Sequence, residues 1–509
     1  MMKKKVKSVS KIISSSNTEI DIHAENRFNL VDESWIPVTG KGLVSLKEIF
    51  TNGKLKSLGG NPVQKIALLK LLLAISQSAC TPKDNEEWEK LGAQGLAEKS
   101  LEYLHKNRKC FWLYGEKPFL QMPDVKKAAV QPFGALLPEI STGNTTVLTN
   151  SQIDRDLSDA ERALLVVQLM GFGLGGKKTD NSIVLTKGYC KGSTGKPGPS
   201  ISFMGHLHNF LIGKNLIETL WLNTFSKFEI KNLKYFENAI GKAPWEQMPN
   251  GENDEISKIL KSSFIGRLIP VARFLLLTQN GAHYTEGILH NGYKDGIFDT
   301  SMAVEISGKK SKTIWVDPSL RPWRQLSSML SFLESGSSSH FSCPNIQKNN
   351  VLPLKIKRIG IWSGGLRVKS NAGEQYVSGI NDYVESTMFF NRKWLDKNWF
   401  LTFKSEMAEL DNIVKKIFGS VTGYYKLLNA DGKKSAAKAT GLFWALCERN
   451  AQELIDACPQ EKAEERVKLR KVFLRYVYQV YDTICPHDTA RQIEAWAKNR
   501  PRIGDYLKK

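Results

Sequence analysis

Cysteine is scarce in this chain, with seven in 509 residues (Cys80, Cys110, Cys190, Cys343, Cys447, Cys458 and Cys485) and no two in C-x-x-C spacing. An odd, unclustered set speaks against a disulfide framework and a structural zinc site, and leads us to expect reduced thiols in a cytoplasmic setting. Long apolar runs are missing too. The best candidate, Ile66–Ile75, is interrupted by Lys70 and falls well short of the roughly 20 residues that span a bilayer. The opening MMKKKVKSVSKIISSS is basic but lacks the apolar core of a signal peptide. A soluble, intracellular chain with no membrane partner is therefore expected. Neither H-E-x-x-H nor G-x-S-x-G occurs, so two common hydrolase signatures are absent. Acidic residues are in deficit as well: 51 Asp and Glu stand against 72 Lys and Arg, a net charge of +21. That balance points to a polyanionic partner.

What is present suits a large folded protein. A hydrophobic fraction of 41% with 10% aromatics excludes a disordered chain, and the length predicts two to four domains. Residues 1–26 read as a basic, flexible tail that either frays or touches phosphates. Ordered sequence is expected from Arg27, where the strand-like run to Val38 is limited to a sheet edge by Pro37. Over 27–390 the reading is mixed: helices at Gln64–Ser78 and Ser158–Met170, the second capped by Ser158 with Glu161, and short strands at Thr313–Val316 and Ile359–Trp362. Over 391–509 four helical stretches, 396–428, 434–457, 461–484 and 488–507, are separated by Asn429–Gly432, Pro459 and Pro486. The predicted class is α+β, a large mixed α/β N-terminal domain followed by an all-α four-helix bundle.

The most distinctive stretch is Gly171–Ser200, with eight glycines and five lysines against a single acid, Asp180. Glycine lets backbone approach another surface closely, and adjacent lysines attract phosphates. The stretch fits either a surface loop or a nucleic-acid contact. Gly171, Gly176 and Lys177 have Walker A spacing, but Lys178 stands where the magnesium-binding hydroxyl belongs. Gly171, Gly173 and Gly176 match G-x-G-x-x-G, yet a helix rather than a strand precedes them. A second basic stretch, Leu352–Ser370, carries Lys355, Lys357, Arg358, Arg367 and Lys369 and no acid. It runs into a turn bracketed by Gly373 and Gly379, which reads first as an ordinary surface hairpin with polar caps; the alternative is a Gln or Tyr at the tip that wedges against a base pair. Lys468, Lys471 and Arg475 share one helix face opposite Phe473, Val477, Val480 and Ile484. That face is either solvated, with Glu464 beside Lys468, or tracks a nucleic-acid strand.

Catalytic constellations are thin. His206 and His208 share one side of an expected strand, and His283, Glu286 and His290 share one side of an expected helix, but neither set completes a metal shell. Cys485-Pro-His487-Asp488 reads as a helix end with Asp488 capping the next helix, rather than a nucleophile and its base.

Taken in order, FNLVDESWIPV (28–38), CTPKDNEEW (80–88), WLYGEKPFLQMP (112–123), GFGLGGKK (171–178) and IWSGGLRVKSNAGEQYVSG (361–379) resemble CasA-type proteins, the large subunit of the type I-E CRISPR Cascade complex. ATGLFWALCERN (439–450) extends the resemblance into the C-terminal helices. The resemblance implies a non-catalytic DNA-reading subunit. It would recognise the protospacer-adjacent motif of double-stranded target DNA from the minor groove, wedge the duplex open to begin R-loop formation and help recruit a helicase-nuclease. Its partners would be CRISPR RNA and the other Cascade subunits. The Gly loop would comprise Gly173, Gly175, Gly176, Lys177 and Lys178, and the wedge hairpin Asn371, Gly373, Glu374, Gln375 and Tyr376. Lys468, Lys471 and Arg475 would contact a DNA strand. Leu136–Gln152 loosely matches a loop that meets the guide RNA in the family. A cysteine cluster carried by some members is absent here, so no metal and no cofactor are expected. The family's lysine finger has no counterpart in PVARFLLLTQNGAHYTEG (270–287), which holds no lysine. The rival readings are a metal-dependent nuclease built on the histidines and a standalone DNA-binding regulator.

Overall fold

The computed structural model describes residues 21–137, 155–174, 179–189, 203–233, 235–290, 299–306, 311–335, 340–353, 355–371, 374–377 and 382–507. Its centre is helix α1 (Pro62–Ala79), which begins where Asn61 and Gln64 exchange side-chain-to-backbone hydrogen bonds and Pro62 fills the first turn. It is buried nearly all round, Lys70 included. Around it pack α2 (Asn85–Lys106), α3 (Asp159–Phe172) and a three-stranded sheet. Helix α3 starts at the Ser158–Glu161 capping box anticipated from the sequence. Trp88 of α2 stacks on Trp221, and each indole donates to the other residue's carbonyl at 3.0 Å.

Eight strands carry the functional argument: β1 (Val130–Pro132), β2 (His208–Ile212), β3 (Arg273–Leu277), β4 (Gly281–Glu286), β5 (Arg358–Leu366), β6 (Lys369–Asn371), β7 (Glu374–Tyr376) and β8 (Tyr383–Asn391). One antiparallel sheet has the order β1-β4-β3, another β8-β5-β2. Among the described residues strands β6 and β7 pair with each other and with no third strand, so the β5–β8 ladder is prolonged by a narrower two-stranded arm. The run expected over 27–38 is two short strands, Arg27–Asn29 and Ile36–Val38, and Pro37 sits on the second, which pairs with Gly42–Val44. Residues 21–26 lie against the protein, with the His23 ring 3.1 Å from the Leu277 carbonyl; residues 1–20 lie outside the described residues.

The C-terminal region is helical: α4 (Lys397–Leu427), α5 (Lys433–Glu448), α6 (Ala451–Ala457), α7 (Ala463–Ile484) and α8 (Ala490–Lys498). The single stretch expected over 434–457 is two helices, because the chain turns at Arg449–Asn450 and restarts at Ala451. The cap of α8 is Thr489, not Asp488: Thr489 and Gln492 form a reciprocal capping box that outcompetes the lone carboxylate. This region is joined to β8 by Gln452, whose amide both accepts from and donates to the Phe389 backbone. Among the described residues no helix is long and apolar enough to cross a membrane.

Candidate nucleic-acid interface

Helix α3 is buried from Arg162 to Phe172 and delivers the chain to Gly173 at its end. A side chain is sterically barred there, since a Cβ would lie 2.7 Å from the Tyr284 hydroxyl and 3.0 Å from Arg273 Nε. Arg273, on β3, is fully buried. It donates from Nη2 to the Leu174 carbonyl at 3.0 Å and to the Gly173 carbonyl at 3.4 Å, and from Nε to the Tyr284 hydroxyl at 3.1 Å. Its Nη1 pairs with Glu286 of β4 at 3.1 Å. Glu286 in turn accepts from the Thr179 hydroxyl at 2.9 Å, and the Asp180 amide donates to the Tyr284 carbonyl. The two ends of the GGKK segment are thus held by one buried ion pair on the β3–β4 hairpin. Gly175, Gly176, Lys177 and Lys178 lie outside the described residues.

Just past the stretch, the Phe203 amide donates to the Gly171 carbonyl at 2.8 Å. Gly205 follows at φ +86, and a Cβ there would meet the Trp315 ring at 2.8 Å and Val368 at 3.6 Å. Val368 lies between β5 and β6, at the base of the two-stranded arm. Gly171, at the start of the stretch, and Phe203–Gly205, just past it, are therefore neighbours of the base of the arm. In the arm, Lys369 pairs with Tyr376, Ser370 with Gln375 and Asn371 with Glu374. Gly373 is outside the described residues. Arg367 closes the base through its guanidinium on Asp382 at 2.6 Å.

Lys468, Lys471 and Arg475 are exposed on α7, with Phe473, Val477 and Val480 buried on its other side. No described contact joins this face to the arm. The same helix also carries Arg470, which pairs with the buried Glu406. Residues 138–152, most of the segment compared with the guide-RNA loop, are outside the described residues.

The histidines are committed to the protein interior. His208 Nδ1 lies 2.7 Å from the Ser301 hydroxyl, and burial lowers its pKa to about 3. His206 contacts the Thr313 hydroxyl at 2.9 Å and is lowered by burial to about 4. His283 and Glu286 are not on a helix: 281–286 is strand β4, where positions three apart point to opposite faces. His283 contacts the Ala128 carbonyl and His290 the Pro270 carbonyl, both at 2.6 Å. No group of three or more metal-ligating side chains occurs among the described residues. Burial pushes the Cys485 thiol up to about 12, and His487 stacks on Trp496.

A buried network joins α1 to β2 through the lysine that interrupts the longest apolar run of the sequence and one of its candidate histidines. Lys70 Nζ donates to Asp299, which also accepts from the Ser301 hydroxyl, and His208 completes the set. Burial alone would raise the Asp299 carboxyl; the Lys70 ammonium outweighs it and holds the group below the usual carboxylate range.

The family model described as CRISPR-associated protein Cse1 matches residues 29–480. A curated relative, the CRISPR-associated protein CasA/Cse1 of Thermus thermophilus, is 32% identical over 216 residues. That alignment takes in 39% of this chain and spans only 39% of the relative's length. Among solved structures, Cse1 of Thermobifida fusca superposes with a TM-score of 0.76 at 20% identity, covering 94% of this chain and 98% of that one. CasA of Thermus thermophilus gives 0.67 at 19% identity, covering 95% and 99%. A chain of a CRISPR RNA-guided surveillance complex gives 0.68 at 13% identity, covering 95% and 99%.

Proposed function

Because the chain belongs to the CRISPR-associated Cse1 family, we propose that it is the non-catalytic large subunit of a type I-E RNA-guided surveillance complex. In this reading it recognises the protospacer-adjacent motif from the minor groove, opens the duplex and helps recruit a helicase-nuclease. The observation that carries the proposal is the junction at Phe203–Gly205, where the residues just past the Gly/Lys-rich stretch lie against Gly171 at its start and Val368 at the root of the β6–β7 arm. Two elements rooted at one place can act on the same few base pairs.

The physical division of labour follows. Guide pairing reads the long target, and protein reads a short flanking motif. The minor groove distinguishes mainly A·T from G·C, so backbone and lysines at Gly175, Gly176, Lys177 and Lys178, anchored by the buried Gly173, would tolerate several motifs. Unstacking the first step costs on the order of a few kcal/mol, which an inserted side chain offsets by replacing lost stacking. Gln375 and Tyr376, flanked by Asn371, Gly373 and Glu374, are assigned that wedge.

The decisive experiment measures duplex binding by the reconstituted RNA-guided complex, with and without this chain, over a library of flanking motifs. Motif dependence that appears only with the chain supports the reading; indifference to the chain overturns it. Gln375→Ala should weaken duplex binding on the order of tenfold or more, equivalent to about 1.4 kcal/mol, while binding to a single-stranded target holds. Equal loss on both targets removes the wedge role.

A metal-dependent nuclease finds little support, since the imidazoles of His206, His208, His283 and His290 already contact hydroxyls or backbone carbonyls. Metal-stimulated DNA cleavage lost in His283→Ala would revive it. A standalone regulator would bind specific duplex without RNA, whereas the isolated chain should show weak, salt-sensitive affinity.

A further inference from the structure

A cleft of about 790 Å³ runs beside the start of β5, at the opposite end of that strand from the β6–β7 arm. Three segments remote in sequence bring Lys56, Lys214, Lys355, Lys357 and Arg358 to it, and a smaller adjoining hollow adds Lys65. Two carboxylates line the combined surface, and both are engaged. Glu218 accepts from the Lys214 backbone amide, and Glu385 accepts from Lys65 at 2.6 Å and from the Trp362 indole at 2.7 Å. Lys355 has a distant partner in Glu89 at 3.8 Å. Lys56, Lys214 and Lys357 are exposed, and among the described residues none forms an ion pair with a carboxylate. The Arg358 guanidinium lies over the half-buried Phe389 ring at 4.7 Å.

We propose that this cleft binds single-stranded polynucleotide, taking up a strand of the duplex opened at the arm. Its chemistry is that of sequence-tolerant single-strand sites. Cations on both walls follow a phosphate backbone, and a flat cation–aromatic pair offers a surface for a base to stack on. An acidic protein surface would use the lysines but gain little from the Arg358–Phe389 platform. Strand β5 links the two places directly: eight residue steps from Arg358 to Leu366 at about 3.3 Å each give a track of about 26 Å. The source of the strand rests on the duplex-opening reading above; the cleft's affinity for single strands does not.

The test uses the full-length purified chain and a fluorescent oligo(dT) of about 20 nucleotides, read by anisotropy at about 100 mM salt and across a salt titration. K214A/K355A/K357A should lower affinity by on the order of tenfold and reduce the slope of log K against log salt by about 2, near 0.7 per lost phosphate contact. The control K433A/K434A/K438A removes the same charge from exposed positions on α5 and should change affinity by less than about threefold. Equal losses in the two triple variants, or none in the first, overturn the proposal. All six lysines are exposed, and matching thermal melts show that each variant is folded. The assembled complex separates this proposal from the one it builds on. Motif-dependent duplex binding with unchanged oligo(dT) affinity in K214A/K355A/K357A defeats the cleft alone. A large oligo(dT) loss without motif dependence defeats the duplex-opening reading and leaves the cleft as a single-strand site.

Discussion

Arg273 does three things from one position in an apolar strand: it holds the Gly173 and Leu174 carbonyls, orients Tyr284 and neutralises Glu286. A guanidinium suits this because its planar fork presents several donors in fixed directions. Replacing it with Met keeps much of the volume but takes the guanidinium away from the buried Glu286, and breaking a buried ion pair in this way costs about 3–5 kcal/mol. Arg273→Met should therefore lower the denaturant midpoint strongly. Adding Glu286→Gln should restore part of that loss, because the buried carboxylate that lost its guanidinium is gone. A cycle in which the two substitutions are simply additive would mean the pair does not work as a unit. The positioning role predicts something stability alone does not: the repaired double variant, though folded, loses motif discrimination by the assembled complex, because the Leu174 anchor is missing. In the sequence, Arg273 was visible as a lone cation within VARFLLL, which demands a buried partner. Glu286 could not be matched to it without knowing that β3 and β4 pair.

At the scale of elements, what could be read were the pieces with local chemistry. The Asn61–Gln64 and Ser158–Glu161 caps mark α1 and α3 because capping is decided within four residues. The 281–290 segment misled because His283, Glu286 and His290 recur at helical spacing. The better signal was Asn280-Gly281 after an apolar run, a hairpin indication that the structure honours with a Thr278 amide donating to the Gly281 carbonyl. The convergence of the Gly-rich stretch on the arm was not legible, since it depends on β2, β5 and β8 pairing across segments remote in the chain. The elements around β2 also make a pH prediction. His206, His208 and His290 are all buried, and burial lowers them to about 4, 3 and 3. His208 faces Ser301, Asp299 and Lys70, His206 faces Thr313 and Trp315, and His290 faces the Pro270 carbonyl. Unfolded histidines titrate near 6.5, so between that pH and about 4 the unfolded chain binds more protons and stability falls with acidification. At pH 5.5 each group accounts for roughly 1.4 kcal/mol, about 4 kcal/mol together. Urea unfolding at pH 7.5 and 5.5 should show a clear drop in midpoint. A flat profile would mean the imidazoles are not held neutral.

Over the whole molecule, the surplus of 21 positive charges is useful only if it is arranged along a path, because exposed charges more than a Debye length of about 8 Å apart act independently at physiological salt. Three separate features can contribute: the lysines of the Gly-rich stretch, the cleft at the start of β5 and the α7 face bearing Lys468, Lys471 and Arg475. The first belongs to motif reading, so its loss should change which flanking sequences bind. The α7 face can hold a strand only by its phosphates, and the cleft only by phosphates and sequence-tolerant base stacking, neither of which reads sequence. Replacing Lys468, Lys471 and Arg475 by Ala should therefore weaken target binding by the assembled complex equally for every motif. It should also reduce the salt slope by about 2, at roughly 0.7 per phosphate of a single strand. These residues are exposed on a helix whose opposite side is buried, so unfolding is not an available explanation for a loss. If affinity and slope both stay at the wild-type values, the face is a solvated one. If the ranking of motifs changes instead, the α7 face lies close enough to the flanking base pairs to help read them, and the assignment of recognition to the Gly-rich stretch and arm alone fails.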